Sequence, residues 1–443
     1  YELTCRDWSS DVCSSDLALL LLSRGGQVVL ADEGVEARHE ACAAKVREAG
    51  GRAVFGADEL PDGAFDVCVA SPAFAMGHRW LAACGARGIP VISELELGAC
   101  YWRGRILAVT GSKGKSSLVK LCADTLAGAG VTASPAGNYG IPLSRLALEK
   151  PHLAWAVTEV SSFQMEHTWT FSPDVAVLLN LQADHFDRHA DMAEYKALKL
   201  KLFSAMRAGA VALLPEGFED EGKVPRGVRL ERFGAGDGSD WRYAEHAVAG
   251  GEAGMACRVA MRGTWFDNAV LGLAAAAGVG ALRHAGLDAE AVARGLAGFV
   301  PLAHRVQRVG ESRDGVCFVD DSKATSLAAM AAALQMVRGP VRLIAGGLLK
   351  ENDLESVKEL LTQTTKKVYL IGKCASEMAC AWGAAVPCEV CGTIECAVAA
   401  AVRDARGGET VLLSPGTASF DQFTSYRERG ERFSALVRAV ADL

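Results

Sequence analysis

The sequence predicts an α/β protein of three domains: a Rossmann-like N-terminal domain, a central P-loop ATPase-type parallel sheet and a Rossmann-like C-terminal domain. Short apolar runs alternate with longer helical segments along most of the chain, which is the pattern of parallel sheets covered by helices. The run 106–117, ILAVTGSKGKSS, passes from a strand through a glycine-bearing turn into a helix. Because 443 residues are too many for one core, we predict domains at 1–103, 104–298 and 299–443.

Composition limits the classes of partner. Hydrophobic residues make up 50% of the chain, charged residues 22%, and the net charge is −7, which argues against a nucleic-acid or anionic-membrane surface. The apolar run 17–22 is far too short to span a bilayer. The fourteen cysteines are scattered, and Cys388-x-x-Cys391 has no second spaced pair, so zinc is disfavoured and reduced thiols are expected. We expect a cytoplasmic protein.

The N-terminal segment departs from the regular pattern. Residues 5–16, CRDWSSDVCSSD, have no helical or strand period and resemble a translated sequencing-adapter read, so we expect 1–16 to be artefactual and to supply no core strand. The first strand and its glycine turn are then expected to be missing. From residue 17 onward, strands end at Asp32 and just before Ser71. An acidic residue closing a strand is where nucleotide-binding α/β units meet a ribose or base, although a surface aspartate there is common.

The run 106–117 predicts a phosphate site. A strand that breaks into a glycine turn and then a helix directs backbone N–H groups into one concavity. Lys115 would lie along the β- and γ-phosphates, and Ser116 would reach Mg²⁺. Val109 stands where the first glycine of the usual pattern would be. The alternative is a tight turn with an exposed lysine.

Two later strands end in polar side chains. Strand 154–158 delivers Glu159, which is placed to hold Mg²⁺ beside the phosphate loop or, alternatively, to be an ordinary N-cap acid. Strand 175–179 leads to Asn180 and then to the dense ionisable run 184–189, DHFDRH, which is a site or a solvated loop,. A helix at 192–206 carries Lys199. Residues 215–264 predict loops and short edge strands without chemistry, and Asn268 heads the next helix.

In the third domain, polar or glycine residues follow each of the predicted strands 316–319, 341–344, 368–371 and 410–414. Open α/β sheets bind ligands at the carboxyl ends of their strands. We therefore expect a binding edge there.

Five segments in this order resemble the Mur ligases: EVSSFQME at 159–166, ADHFDRH at 183–189, His304-Arg305, DDSKAT at 320–325 and SPGTASFDQF at 414–423. The resemblance extends from about residue 17 to the C-terminus. It implies an ATP-dependent ligase of peptidoglycan synthesis that joins D-glutamate to UDP-N-acetylmuramoyl-L-alanine. The alanyl carboxylate would attack ATP to give an acyl phosphate, which the glutamate amine would then attack.

The resemblance also assigns residues. Nucleotide-substrate contacts are implied at Asp32, Ser71, Asn138 and Ser161. ATP contacts are implied at Gly111, Ser112, Lys113, Gly114, Lys115, Ser116, Ser117, Asn268, Arg305 and Asp321. Metal ligands for two Mg²⁺ ions are implied at Ser116, Glu159, His185 and a carbamylated Lys199, and the catalytic set is Lys115, Glu159, His185 and Lys199. The incoming glutamate would meet Lys323, Thr325, Lys350, Ser419, Phe420 and Tyr426. A monomer without nucleic-acid or membrane partners is expected.

Two alternatives stay open. Leu348 and Leu349 stand where the family tends to have Asp-Gly, which favours a related ligase that adds L-glutamate or another amino acid. A non-catalytic nucleotide-binding homologue is the second alternative, and the presence of Lys115 and Glu159 argues against it. A folate-type polyglutamate ligase is disfavoured because it should lack the segment 414–423.

Overall fold

The computed structural model describes residues 2–4, 15–34, 37–182, 188–219, 222–244, 247–251, 257–260, 269–337, 339–349 and 353–440. The chain forms two compact units, Tyr1–Phe299 and Val300–Leu443. The predicted boundary after residue 103 falls inside the first unit. The sheets are largely parallel and covered by helices, so the expected mixed α/β class is confirmed.

The first unit begins with a five-stranded parallel sheet in the order β3-β2-β1-β4-β5. Its strands are β1 (Glu2–Thr4), β2 (Val29–Asp32), β3 (Arg52–Phe55), β4 (Cys68–Ala70) and β5 (Val91–Ser93). Its helices are α1 (Ser15–Ser23), α2 (Ala37–Glu48), α3 (Arg79–Ala86) and α4 (Glu94–Tyr101). Leu30 and Ala31 enter different apolar clusters on opposite faces of the sheet, because successive strand side chains point in opposite directions.

Strand β1 corrects the expectation that residues 1–16 supply no core strand. Glu2–Thr4 pairs in parallel with β2 on one side and β4 on the other, so it is the central strand of the sheet. The helix expected at 17–24 begins earlier, at Ser15. A strand in the middle of a parallel sheet is specified by its two neighbours as well as by its own sequence, and three residues show no period to detect. Residues 5–14 lie outside the described residues.

A nine-stranded sheet in the order β14-β13-β12-β11-β10-β9-β6-β8-β7 forms the rest of the first unit. Its strands are β6 (Arg105–Thr110), β7 (Ala133–Gly137), β8 (Trp155–Glu159), β9 (Val175–Leu178), β10 (Val211–Pro215), β11 (Arg229–Gly234), β12 (Trp241–Ala244), β13 (Ala247–Gly250) and β14 (Cys257–Ala260). Its helices are α5 (Lys115–Gly128), α6 (Leu143–Glu149), α7 (Ser162–Glu166), α8 (Met192–Ser204), α9 (Ala269–His284) and α10 (Ala289–Ala297). Strands β11–β14 come from the segment predicted as loops and edge strands.

Alternation along β6 explains its position in the middle of this sheet. Leu107 and Val109 pack with α5 and α9 on one face, whereas Ile106 and Ala108 pack with α6 and α8 on the other. A strand that buries both faces reads as a continuous apolar run. The turn that follows β6 is therefore held at the carboxyl edge of a rigid core.

The second unit is a six-stranded sheet in the order β15-β16-β20-β17-β18-β19, in which only β15 is antiparallel to its neighbour. Its strands are β15 (Gln307–Glu311), β16 (Cys317–Asp320), β17 (Val341–Gly346), β18 (Thr365–Ile371), β19 (Cys388–Gly392) and β20 (Thr410–Leu413). Its helices are α11 (Leu327–Met336), a 3-10 turn (Leu354–Val357), α12 (Lys358–Thr364), α13 (Ala375–Trp382), α14 (Ile394–Asp404) and α15 (Tyr426–Val440). The four predicted strands are parallel neighbours, so their carboxyl ends share one edge.

Within the described ranges, no helix combines the length and apolarity that a bilayer crossing needs. Cys388 and Cys391 are free thiols. Cys42 is disulfide-bonded, so the expectation of reduced thiols throughout is wrong at that residue.

Candidate active site

The turn between β6 and α5 has the geometry of a phosphate loop. Gly111 and Gly114 adopt positive φ angles of 144° and 83°, conformations that favour glycine. A Cβ on Gly114 would lie 2.9 Å from Leu179 Cδ2. Gly114 is the N-cap of α5, and no side chain caps the first helical turn. The amino end of α5 therefore leaves its dipole and its first backbone N–H groups available to an anion.

Lys115, the first residue of α5, folds back over the loop. Its Nζ donates to the carbonyl oxygens of Gly111 at 2.9 Å and Ser112 at 3.0 Å. Binding of a phosphate would offer the ammonium stronger, charged acceptors than these two carbonyls. Ser116 is buried on the same turn. The predicted phosphate-binding residues 111–117 are thus brought together.

Asn180 fixes the loop from the neighbouring strand, a role that the sequence did not assign. Its Oδ1 accepts from the backbone N–H groups of Ser112 at 3.1 Å and Lys113 at 2.9 Å, and its Nδ2 donates to Lys113 O at 2.9 Å. β9 pairs with β6, so the first polar residue after β9 meets the loop after β6. The signal available in the sequence was a single asparagine directly after an apolar strand.

Lys199 lies beneath the same loop. Its side chain is 1% exposed, and its Nζ donates to Gly111 O at 2.9 Å and lies 4.5 Å from the centre of the Tyr195 ring. Tyr195, in turn, lies 3.2 Å from Ser112 Oγ through its hydroxyl. Helix α8 therefore reaches the phosphate loop through two side chains, of which the sequence had singled out Lys199 alone.

Glu159 stands beside the loop at the end of β8. The register pairs it with Val109 of β6, and it is 3% exposed. Its Oε1 accepts from Asn138 Nδ2 at 2.9 Å, which brings two predicted residues together. Among the described residues nothing hydrogen-bonds its buried Oε2. Burying a carboxylate oxygen without a partner is costly, so this atom is suited to a cation.

These residues fit Mg²⁺. A carboxylate oxygen without a protein partner and a serine hydroxyl at the amino end of the helix are hard oxygen donors of the kind Mg²⁺ takes. The described ranges hold no group of three or more His, Cys, Asp or Glu side chains that would form a complete protein cage. Mg²⁺ usually keeps several waters and binds through one or two carboxylates plus phosphate oxygens. The predicted ligand His185 lies outside the described residues.

The predicted nucleotide-substrate residues lie at the carboxyl edge of the first sheet. Asp32 ends β2 and is buried, and its Oδ1 accepts from Gly34 N at 2.6 Å. Ser71 directly follows β4, and its Oγ accepts from Ala73 N at 3.3 Å. Strand β1 separates β2 from β4. The two side chains therefore share one edge, as expected for an open parallel sheet.

The Ser161 side chain hydrogen-bonds within its own helix terminus. It caps α7, and its Oγ accepts from Gln164 N at 3.2 Å while Gln164 Oε1 accepts from Ser161 N at 3.0 Å, forming a capping box. This arrangement fixes the direction of α7 immediately after Glu159. The capping box orients the chain that carries the buried carboxylate.

In the second unit, Asp321 follows β16 and is buried. Ser414 Oγ donates to its Oδ2 at 2.8 Å, and Val306 N donates to its Oδ1 at 3.1 Å. Burial outweighs these hydrogen bonds and the charge of Arg305, and it raises the pKa of Asp321 to about 7. Arg305 sits between His304 and Val306, which both have positive φ angles, 61° and 46°. This conformation is uncommon for residues other than glycine.

The raised pKa of Asp321 predicts a pH-dependent stability. The folded carboxyl keeps its proton up to about pH 7, whereas the unfolded carboxyl releases it near its ordinary value of 3.8. The folded state therefore binds more protons between these values, and its stability falls as pH rises through that window. For this group the loss between pH 5 and 8 is about 3 kcal/mol. Asp321→Asn should remove that part of the slope in urea unfolding of the second unit, and an unchanged slope would contradict the assignment.

Apart from Lys350, which lies outside the described residues, the residues predicted to meet the amino acid follow the neighbouring strands β16 and β20. Lys323 Nζ donates to the Tyr426 hydroxyl at 3.2 Å and lies 4.7 Å from its ring centre. Although burial opposes it, the charge of Lys323 lowers the pKa of Tyr426. Ser419 is buried, whereas Phe420 is 69% exposed. Thr325 is half-buried after β16.

Three predicted site residues, His185, Asn268 and Lys350, lie outside the described residues. The others fall into three groups, at the carboxyl edges of the three sheets. The phosphate loop, Asn138, Glu159, Ser161 and Lys199 form one group, Asp32 and Ser71 a second, and the residues of the second unit a third.

Comparison with known proteins identifies the family. The Mur ligase middle domain matches residues 109–260, and the Mur ligase, glutamate ligase domain matches residues 304–416. The UDP-N-acetylmuramoylalanine–D-glutamate ligase of Nitratidesulfovibrio vulgaris is 37% identical over 85% of this chain and 82% of its own length. The chain belongs to the Mur ligase family. The sequence-based resemblance is thereby confirmed, and so is the enzyme class, because Mur ligases are ATP-dependent ligases.

Further similarities agree with this Mur ligase assignment. The protein of the same name from Acidobacterium capsulatum is 33% identical and aligns over 95% of this chain and 93% of its own. The crystal structure of MurF ligase from Thermotoga maritima in complex with ADP has a TM-score of 0.61 at 18% identity, covering 94% of this chain and 95% of that one. At that identity the structural match establishes the fold of the Mur ligase.

Proposed function

We propose that this Mur ligase joins D-glutamate to UDP-N-acetylmuramoyl-L-alanine at the expense of ATP, through an acyl phosphate. The observation that supports this best is the pairing of Val109 with Glu159, which sets a buried carboxylate beside the phosphate loop. The substrates are proposed from the relatives at 32–37% identity, which are named UDP-N-acetylmuramoylalanine–D-glutamate ligase.

The phosphate loop would hold the ATP phosphates. Lys115 would exchange its two carbonyl acceptors for phosphate oxygens, and the amino end of α5 would face the same charge. The attack of one anion on another meets strong repulsion, and positioned cations offset it. Mg²⁺, held by Ser116 and Glu159 with His185, would supply further charge neutralisation.

Asn138 contacts the buried carboxylate and would also contact the nucleotide substrate. Its amide donates to Glu159 Oε1, and its backbone N–H donates to Glu159 O at 3.0 Å. Asp32 and Ser71 would contact the uridine diphosphate part at the edge of the first sheet. Arg305 and Asp321 would contact ATP, and Lys323, Thr325, Ser419, Phe420 and Tyr426 would surround glutamate together with Lys350.

The finer architecture belongs to the same proposal. We divide the chain into a nucleotide-substrate domain at 1–103, an ATP domain at 104–298 and an amino-acid domain at 299–443. Two Mg²⁺ ions and a carbamylated Lys199 are proposed for the ATP domain. The protein is proposed to act as a cytoplasmic monomer on small-molecule substrates, without nucleic-acid or membrane partners.

The lysine carbamate predicts chemical rescue. Lys199 is almost fully buried and contacts Gly111 O, so a carbamate at its Nζ would bring a carboxylate-like group to the phosphate loop. Lys199→Ala should lose activity, and short carboxylates such as formate or acetate should restore part of it by occupying the vacated space. Steady-state ADP release measures both. A folded variant that no carboxylate rescues would contradict a carbamate ligand and leave Lys199 as a cation supporting the loop.

The proposed reaction is tested by mass analysis of the product from UDP-N-acetylmuramoyl-L-alanine, Mg-ATP and either D- or L-glutamate. An adduct with D-glutamate alone is the expected result. An adduct with L-glutamate would overturn the proposed stereochemistry and favour the alternative. That alternative is motivated by Leu348, which is 41% exposed and whose backbone pairs with Ala418 next to Ser419. Tight ATP binding without any adduct would favour another amino acid or a non-catalytic homologue.

A further inference from the structure

Arg188 joins three segments of the first unit. Its Nε and Nη2 donate to the two carboxylate oxygens of Glu166 at 3.1 and 2.7 Å. Its Nη1 donates to Ala73 O at 3.2 Å, and its Nη2 also donates to Phe74 O. Its guanidinium carbon lies 5.1 Å from the centre of the Phe163 ring. One side chain therefore connects the end of α7 to the turn after β4.

The two carbonyls that Arg188 contacts belong to the turn that carries Ser71. Phe74 N donates to Ser71 O at 3.1 Å, which closes the turn. The Phe74 side chain is buried and its ring centre lies 4.3 Å from that of His78. Arg188 thus holds the turn through the carbonyl groups of Ala73 and Phe74. Ser71, at the start of the same turn, remains at the carboxyl edge of the first sheet.

At its other end Arg188 contacts α7, whose direction is set directly after Glu159. The Glu166 side chain is 2% exposed and that of Arg188 is 15% exposed. The planar guanidinium matches a carboxylate through two parallel hydrogen bonds and still reaches both carbonyls, whereas a lysine ammonium is a point charge that cannot do both. The contacts therefore depend on the shape of arginine as well as on its charge.

Stability alone does not account for this arrangement. A buried ion pair often adds little net stability, because removing both charges from water offsets their attraction. Other contacts also stabilise the junction between the five-stranded and nine-stranded sheets of the first unit. The Glu96 carboxylate accepts from the backbone N–H groups of Trp169, Thr170 and Phe171 at 3.0, 2.7 and 3.1 Å, independently of Arg188.

We propose that Arg188 is a positioning residue that sets the nucleotide-substrate turn relative to α7 and Glu159. This inference rests on the proposed function, since it assigns Arg188 to placing the substrate carboxylate against the phosphate loop. Misplacement of a reacting group by about 1 Å costs roughly 100-fold in rate. The effect of losing Arg188 should accordingly appear in the use of the nucleotide substrate and leave ATP binding unchanged.

The test compares Arg188→Lys and Arg188→Ala with Arg294→Ala, a matched control in which an exposed arginine loses an exposed partner, Glu290. Titration calorimetry with UDP-N-acetylmuramoyl-L-alanine, without ATP, should show weaker binding in both Arg188 variants, and kcat/KM for this substrate should fall roughly 10- to 100-fold because its reacting carboxylate is misplaced. KM for the nucleotide substrate should rise, with KM for ATP within about twofold of the wild type. Guanidinium ion at millimolar concentration should partly restore Arg188→Ala.

Several outcomes separate this inference from the proposed reaction. Equal rises in both KM values, or a lower melting temperature with normal nucleotide binding, would overturn the positioning role and leave a structural one. If Arg188→Ala does not fold, Arg188→Lys decides the question, since lysine retains the charge but lacks the planar guanidinium that makes two parallel hydrogen bonds. A wild-type protein that binds the nucleotide without forming product would contradict the proposed reaction, while the binding comparison would still test Arg188.

Discussion

We expect Lys115→Ala to reduce ADP formation severely in the presence of all substrates while the chain still folds. The ammonium is the charged side chain at the amino end of α5, and it contacts Gly111 O and Ser112 O. Removing one preorganised group that stabilises developing charge reduces turnover by roughly 100- to 1,000-fold. The loop keeps its shape because Gly111 O still accepts from Lys199 Nζ and Asn180 still binds the backbone of Lys113.

The measurement is ADP release by a coupled assay, with far-ultraviolet circular dichroism as the check on folding. Lys120→Ala is the matched control, because Lys120 lies on the same helix and pairs with Asp124 at the surface. We expect the control to retain wild-type turnover. Unchanged turnover in Lys115→Ala would contradict the assignment of this loop to phosphate binding.

Glu159→Gln separates metal binding from folding. The amide keeps the shape of the side chain and the hydrogen bond from Asn138 Nδ2, and it removes the charge from a buried oxygen that lacks a partner among the described residues. Because an unsatisfied buried charge opposes folding, the metal-free variant should melt at or above the wild-type temperature. Turnover should fall about 100-fold or more.

The decisive readout is the effect of Mg²⁺ on thermal unfolding. A ligand that binds the folded state raises the melting temperature, so the wild type with a nucleotide should gain stability on addition of Mg²⁺ and Glu159→Gln should lose most of that gain. Glu149→Gln is the control, since Glu149 is a half-exposed partner of Arg145 on α6. A full Mg²⁺ response in Glu159→Gln would show that this carboxylate does not hold the ion.

Much of the fold and of the site follows from local sequence. The phosphate loop is predictable because glycines, a lysine and hydroxyls occupy a short stretch directly after an apolar strand. Glu159 is predictable as a strand-end acid, but its role depends on which strand lies beside β6. The register with Val109 supplies that neighbour, and periodicity along one strand carries no information about pairing across a parallel sheet.

The sequence by itself determined the α/β class, the phosphate loop and the membership of the Mur ligases, because each depends on residues close together in the chain or in a fixed order along it. Only the tertiary structure decided that Glu2–Thr4 is a central strand, that Asn180 and Tyr195 support the loop and that Arg188 connects Glu166 to the turn at Ala73. Each of these contacts joins segments far apart in sequence. Their pairing is fixed by the sheet order and by the burial of helices against it, which no local pattern encodes.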